Sequence, residues 1–156
     1  MITPIDIQNA VSGILKEKTK YKVYSNEVLE GFTAPCFFIS VVINNFTRKS
    51  KTTFDVEANV EIEYYPYLDP QKRVRDEISS NIMMGVLLKL FSLNLPCRDR
   101  HLTITDGKFT LGGQNKDLLR MEFSLSYFDS IKEDEVIAEP ITDVNLNTKI
   151  QMKEGM

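Results

Sequence analysis

The stretch Thr52-Thr53-Phe54-Asp55-Val56-Glu57-Ala58-Asn59-Val60-Glu61-Ile62-Glu63-Tyr64-Tyr65 alternates apolar and polar residues with a period of two from Phe54 to Tyr64. Successive side chains of a strand point to opposite faces, so this is a strand with one apolar and one acidic face. Val56, Ala58, Val60 and Ile62 fall on the first face, and Asp55, Glu57, Glu61 and Glu63 on the second. Upstream, Cys36-Phe37-Phe38-Ile39-Ser40-Val41-Val42-Ile43-Asn44-Asn45-Phe46 is a second run rich in β-branched and aromatic residues. The basic turn Arg48-Lys49-Ser50-Lys51 lies between the two. Together they predict a long hairpin. With Lys49 and Ser50 as a two-residue tip, Ile43 faces Val56, Val41 faces Ala58, Ile39 faces Val60 and Phe37 faces Ile62. Phe38, Ser40 and Val42 then share the acidic face, which is partly apolar. A strand of this length spans about 46 Å at about 3.3 Å per residue. A folded chain of this size has a radius of gyration of about 15 Å, so the hairpin must bend or project, and projection suggests a partner.

Around the hairpin the pattern predicts helices and further strands. Thr3 suits an N-cap, Pro4 the first helical position and Asp6 the first turn. Ile7, Ala10, Val11, Ile14 and Leu15 then recur at steps of three and four, predicting a first helix that ends near Lys18. Residues 21–24 read as a short strand. Asp69-Pro70 repeats the helix-start signal, and a second helix is expected over residues 70–91 with a central, buried C-terminal half. Asp106-Gly107, between Leu102-Thr103-Ile104-Thr105 and Lys108-Phe109-Thr110-Leu111, predicts a two-residue type I′ hairpin. A last strand places Leu119, Met121, Phe123, Leu125 and Tyr127 inward, with Arg120, Glu122, Ser124 and Ser126 outward. The fold class is therefore α+β: a mainly antiparallel sheet with a long hairpin, packed against an N-terminal helix and a central helix after Pro70. Residues 1–131 form one domain in this reading. Residues 132–156, with irregular apolar spacing around Pro140, read as an extended arm or a disordered tail.

Composition narrows the function. The chain has 156 residues, 42% hydrophobic and 26% charged, which is ordinary for a globular domain. A formal net charge of -3 argues against a surface built to neutralise nucleic-acid phosphates. Residues 1–6 lack the basic and apolar regions of a secretory signal, so a cytoplasmic protein is expected. The most apolar stretch, residues 82–95, is too short to span a bilayer and contains Lys89, so no membrane is expected. Cys36 and Cys97 are far apart and read as buried free thiols.

No constellation for chemistry emerges. His101 has no serine or carboxylate at triad spacing and reads as a surface residue. Gly112-Gly113 lacks the lysine, serine and helix of a phosphate loop. The acidic stripe Asp55, Glu57, Glu61 and Glu63 could hold a divalent cation, but alternate positions on a straight strand are about 6.6 Å apart, and a solvated face explains it better. Arg48-Lys49-Ser50-Lys51 and Lys72-Arg73-Val74-Arg75 could contact phosphates. They lack interleaved aromatics, because Phe46 and Phe54 turn into the core or flank the turn. No catalytic, metal or cofactor site is expected. The surplus apolar surface, Phe38 and Val42 on the sheet and Val136, Ile141, Val144 and Leu146 in the arm, points instead to subunit contacts.

The order of elements, and the segments Ile5-Asp6-Ile7-Gln8-Asn9-Ala10-Val11, Pro35-Cys36-Phe37-Phe38-Ile39 and Val60-Glu61-Ile62-Glu63-Tyr64-Tyr65-Pro66, resemble the small tail terminator proteins of contractile-tailed phages and phage-tail-like bacteriocins of Gram-positive hosts. The resemblance covers about the first 130 residues. It implies a structural protein of the virion tail, assembled in the host cytoplasm. It implies a hexameric ring in the neck that caps the tail tube, stops tube and sheath polymerisation and meets the head-side connector. DNA would be only cargo in the lumen, and the resemblance assigns no site residue. A connector or tail-completion subunit is the nearest rival, and a small metal-dependent hydrolase built on the acidic stripe a more distant one. The acidic stripe is expected to line the lumen, unpaired and solvated.

Overall fold

The computed structural model describes residues 1–25, 33–67, 77–112 and 118–131. Its elements are α1 (Pro4–Thr19), β1 (Lys22–Ser25), β2 (Cys36–Arg48), β3 (Thr53–Tyr65), α2 (Glu77–Leu90), β4 (Asn94–Cys97), β5 (Arg100–Gly112) and β6 (Leu118–Ser130). The six strands make one sheet in the order β1-β2-β3-β6-β5-β4, mostly antiparallel, with β1 parallel to β2. The expected α+β class holds. The start expected for the second helix and the whole C-terminal arm lie outside the described residues.

Contacts within the chain divide it into two compact units. One is Ile2–Asn45 with Val56–Tyr127, and the other is Met1, Phe46–Asp55 and Phe128–Met156.

In the larger unit the first helix forms as its sequence dictates. The Thr3 hydroxyl accepts from the Asp6 N–H at 3.2 Å, and the Asp6 carboxylate accepts from the Thr3 N–H at 2.9 Å, a closed capping box. That backbone hydrogen bond, seconded by the Thr3 side chain, holds the Asp6 carboxyl below its usual range. The helix ends at Lys20, whose N–H still donates to the Lys16 carbonyl at 3.1 Å and whose left-handed backbone then turns the chain out of the helix. Ile7, Val11 and Leu15 are buried, with Ala10 and Ile14 half-buried beside them. The helix lies against β1 and β4.

The core follows the period-two pattern of the strands. Val56, Ala58, Val60, Ile62 and Tyr64 of β3 are buried, as are Leu119, Met121, Phe123, Leu125 and Tyr127 of β6. Phe91, just past α2, stacks on Phe123 with ring centroids 5.3 Å apart, and the Tyr64 hydroxyl lies 2.8 Å from that of Ser79. Neither cysteine is in a disulfide, and both are buried. Burial pushes the Cys97 thiol up, which keeps it in its unreactive form.

Three expectations change. Asp106-Gly107 is not a turn, because β5 runs unbroken through it, opposite β6 from Thr103↔Ser126 to Gly112↔Leu118. A type I′ turn needs positive φ at both central residues. Among the described residues only Lys20 and Arg98 outside glycine have it, so the tight turn lies at Arg98, between β4 and β5. Asp106-Gly107 instead follows a bulge at Ile104/Asp106. A Cβ on Gly107 would meet the Glu122 carbonyl at 3.3 Å and the Phe123 Cβ at 3.4 Å, so glycine serves close packing there.

The second change is β4, a strand that contains Pro96. It stands at the edge of the sheet, where a missing N–H need not break a ladder. The third is α2, whose C-terminal half is not central. It buries Ser80, Met83 and Leu87, continued by Phe91, along one stripe. Ile82 and Leu88 stay 65% and 54% exposed.

The smaller unit contains the hairpin tip. Its loop is four residues, between Arg48 and Thr53, rather than two, so the cross-strand pairs drawn from a two-residue tip do not stand as drawn. The facing of each side chain survives, since a two-residue shift preserves strand parity. The Lys49 and Ser50 N–H groups both approach the Thr53 carbonyl, and Arg48 donates to the Lys51 carbonyl at 2.8 Å. The Ile131 N–H donates to the Thr52 carbonyl at 2.9 Å.

Candidate functional site

The helix-free face of the sheet is assembled from alternate positions of β2, β3, β6 and β5. It forms an open concavity of about 590 Å³ whose lining includes Ser40, Val42, Asn59, Glu61, Lys108 and Glu122. Alternation alone puts them there. Each is the outward partner of a core residue on its own strand.

Three of the four stripe carboxylates turn out to be paired, which corrects the expectation of an unpaired wall. Arg120 of β6 lies 2.8 Å from Glu63 and 3.7 Å from Glu61. Lys49 lies 3.1 Å from Asp55, within the smaller unit. Only Glu57 has no ion-pair partner among the described residues. Glu122 adds a further carboxylate to the concavity, held by Lys108 at 3.2 Å, and the Ser124 hydroxyl donates to Asn59 at 3.0 Å. The sequence marked Arg120 and Glu122 as outward. What it lacked was the pairing of β3 with β6, two strands far apart in the chain.

The charges interact. Burial pushes the Glu61 carboxyl up against the pull of Arg120, and its hydrogen bond to Glu122 and the charges of Glu63 and Glu122 push the same way. The hydrogen bond to Glu63 holds the Arg120 guanidinium above its usual value. A carboxyl raised by folding contributes stability that is fully present below the ordinary carboxylate range and is lost as pH rises through its folded value. Glu61→Gln is therefore expected to raise the melting temperature at pH 7, and to lose that gain as pH falls below the usual glutamate value of 4.5. Thermal unfolding of both proteins at pH 4 and pH 7 checks this, and a larger gain at pH 4 than at pH 7 would contradict it.

The other expected contact residues divide. Val42 is 55% exposed, but Phe38 is only 7% exposed. It packs between Tyr24 of β1 and Tyr65 of β3, with ring centroids 5.4 and 5.1 Å away. The short parallel strand β1 covers it, and the sequence did not reveal where that strand docks. Val136, Ile141, Val144 and Leu146 lie outside the described residues. His101 is exposed, 3.4 Å from the Asn94 side chain. Among the described residues no group of three or more His, Cys, Asp or Glu side chains is placed to hold a metal ion, and no helix is long and apolar enough to cross a membrane.

The hairpin tip carries a feature that the sequence reading kept apart. Phe46, 64% exposed, meets Phe54 edge to face at 6.2 Å, and the Arg48 guanidinium lies over the Phe54 ring at 5.4 Å. Phe46 thus flanks the turn, and the basic and aromatic side chains of the tip form one exposed cluster.

Residues 6–137 match the family model described as phage tail terminator protein. The chain belongs to that family, and it is a structural protein of the phage tail. No match was found among curated proteins. One solved structure aligns with 85% of this chain and 98% of its own at 15% identity and a TM-score of 0.41, too loose a likeness to bear on function.

Proposed function

We propose that this protein assembles into a closed ring, hexameric in the intact particle, that caps the tail tube. The ring stops further addition of tube and sheath subunits and presents a surface to the connector on the head side. The observation that carries this reading is the family match over residues 6–137. The exposed Val42, Phe46 and Leu111 supply apolar contact surface of the kind such assembly uses. The contractile tail and the Gram-positive host rest on the sequence resemblance and are part of the proposal. A connector or tail-completion role would also use a ring, and binding to purified tube ends separates the two. Native mass measurement of the protein, alone and with tube subunits, is expected to show a ring in at least the second case. A monomer in both would overturn the proposal.

In this reading the carboxylates of the concave face line the lumen. A wall facing DNA should repel phosphates so that the polymer does not stick, and on this face carboxylates outnumber Arg120 and Lys108. Their reach is a Debye length of about 8 Å at physiological salt. Changing Asp55, Glu57, Glu61 and Glu63 together to lysine leaves the buried face of β3 untouched, so folding should survive while the wall would now bind phosphates. Particles with this change are expected to assemble and to release DNA more slowly. Release at the wild-type rate would place the stripe outside the channel.

A further inference from the structure

Among the described residues the sheet is incompletely edged. β1 covers β2 only from Cys36 to Ile39, and β4 covers β5 only from Arg100 to Thr103. Beyond those caps, residues 40–45 of β2 and 105–112 of β5 face no further strand among the described residues. Each free stretch is about 20 to 26 Å long at about 3.3 Å per residue, and each presents main-chain donors and acceptors to one side.

The two stretches are guarded unequally. β4 carries Pro96, and the open part of β5 carries Asp106, Lys108 and an adjacent bulge, all devices that discourage strand addition. Residues 40–45 of β2 read Ser-Val-Val-Ile-Asn-Asn, with no charge and no proline. An unguarded, β-branched edge of that kind is a hazard unless something covers it.

The side chains indicate what covers it. On the core side of β5, Phe109 lies opposite the buried Met121 and Leu111 opposite the buried Leu119, yet Phe109 is only half-buried and Leu111 is 44% exposed. On the core side of β2, Val41 is half-buried and Ile43 is 36% exposed, although Phe37 and Ile39 on the same face are fully covered. At both edges a core layer stops short, and each edge supplies the apolar side chains that the other lacks.

Strand directions make the two edges compatible. The chain reverses from β2 to β3 at the hairpin tip. It reverses from β3 to β6, because Arg120 meets Glu63 while Ser124 meets Asn59. It reverses again from β6 to β5. Thus β2 and β5 run in opposite senses, and a rotation that continues the sheet from one copy to the next brings them together antiparallel. β1 caps the beginning of β2 and β4 the beginning of β5, so a stagger of a few residues clears both caps. Closing a sheet into a barrel requires such a stagger.

We propose that a second copy of this chain occupies the β2 edge: residues 40–45 of one copy pair antiparallel with residues 105–112 of the next, head to tail, merging Val41 and Ile43 with Phe109 and Leu111 in one core layer. The interface is heterologous, the kind that closes into rings. This deepens the ring reading and rests on it.

The test uses the full chain, with tube subunits present. Ile43→Cys and Leu111→Cys proteins are prepared separately, mixed and treated with a short thiol-to-thiol cross-linker. The native Cys36 and Cys97 are buried and do not compete. The expected product is a covalent pair of one Ile43→Cys chain and one Leu111→Cys chain, absent when either protein is treated alone. Ile43→Cys chains linked to each other would show a two-fold edge and overturn the proposal. A ring seen by native mass with no cross-link at either position would overturn the edge pairing and leave the ring intact, whereas a protein that stays monomeric would overturn both. Ile43→Lys, which keeps the monomer's circular dichroism if the site is only an edge, is expected to abolish the pair.

Discussion

Phe123→Ala is expected to lower the free energy of unfolding by about 3 to 5 kcal/mol. The ring is only 2% exposed and stacks on Phe91, itself 1% exposed, at a centroid distance of 5.3 Å and an interplanar angle of 18°. Removing it takes away transfer energy and leaves a cavity between β6 and the segment that leaves α2, two elements that cannot close the gap without shifting backbone. A domain stabilised by about 5 to 15 kcal/mol would lose a large share of its margin, so assembly should fail through unfolding rather than through a lost contact. Urea unfolding followed by circular dichroism measures the effect. Phe91→Ala should cost a similar amount, and the double variant should cost less than the sum, because either change alone already removes the stack. A loss under about 1 kcal/mol would mean that these rings are not packed as described.

Leu87→Ala is expected to cost about 2 to 5 kcal/mol, while Leu88→Ala stays within about 0.5 kcal/mol of the parent. The two residues are adjacent, chemically identical and equally good helix formers, so propensity cancels and burial decides. Leu87 is fully buried and Leu88 is 54% exposed. Equal losses from both would mean that α2 is covered on two sides. A small effect of Leu88→Ala on stability combined with weaker assembly would mark the exposed side of α2 as a contact surface. Both quantities can be read from one preparation by urea unfolding and native mass measurement.

The long strands were legible because their pattern has one reading. Eleven consecutive alternating residues from Phe54 to Tyr64, and the like pattern from Leu119 to Tyr127, fix both the strand and the buried face whatever lies beside them. The first helix was legible for the same local reason, since Thr3, Pro4 and Asp6 act on backbone groups within one turn. The Asp106-Gly107 signal misled because turn chemistry is permissive rather than compulsory. Glycine also serves where a neighbouring strand comes too close for a side chain, and the long ladder offered by β6 outweighs a two-residue turn. The apolar run of α2 misled in another way. Many apolar residues imply burial, but they do not say whether the partner belongs to the same chain.

By itself the sequence determined α1, β3 and β6, which of their side chains point inward, and the family, because these depend on local periodicity and on residues that are near in the chain. Only the tertiary structure decided the order of the strands, and with it the pairing of Arg120 with Glu61 and Glu63, the covering of Phe38 by β1 and the edges of β2 and β5 that no strand covers among the described residues. Those features depend on which strand lies beside which across as many as 65 residues of separation. That choice is set by the fit of whole faces to one another, and no short stretch of the chain contains it.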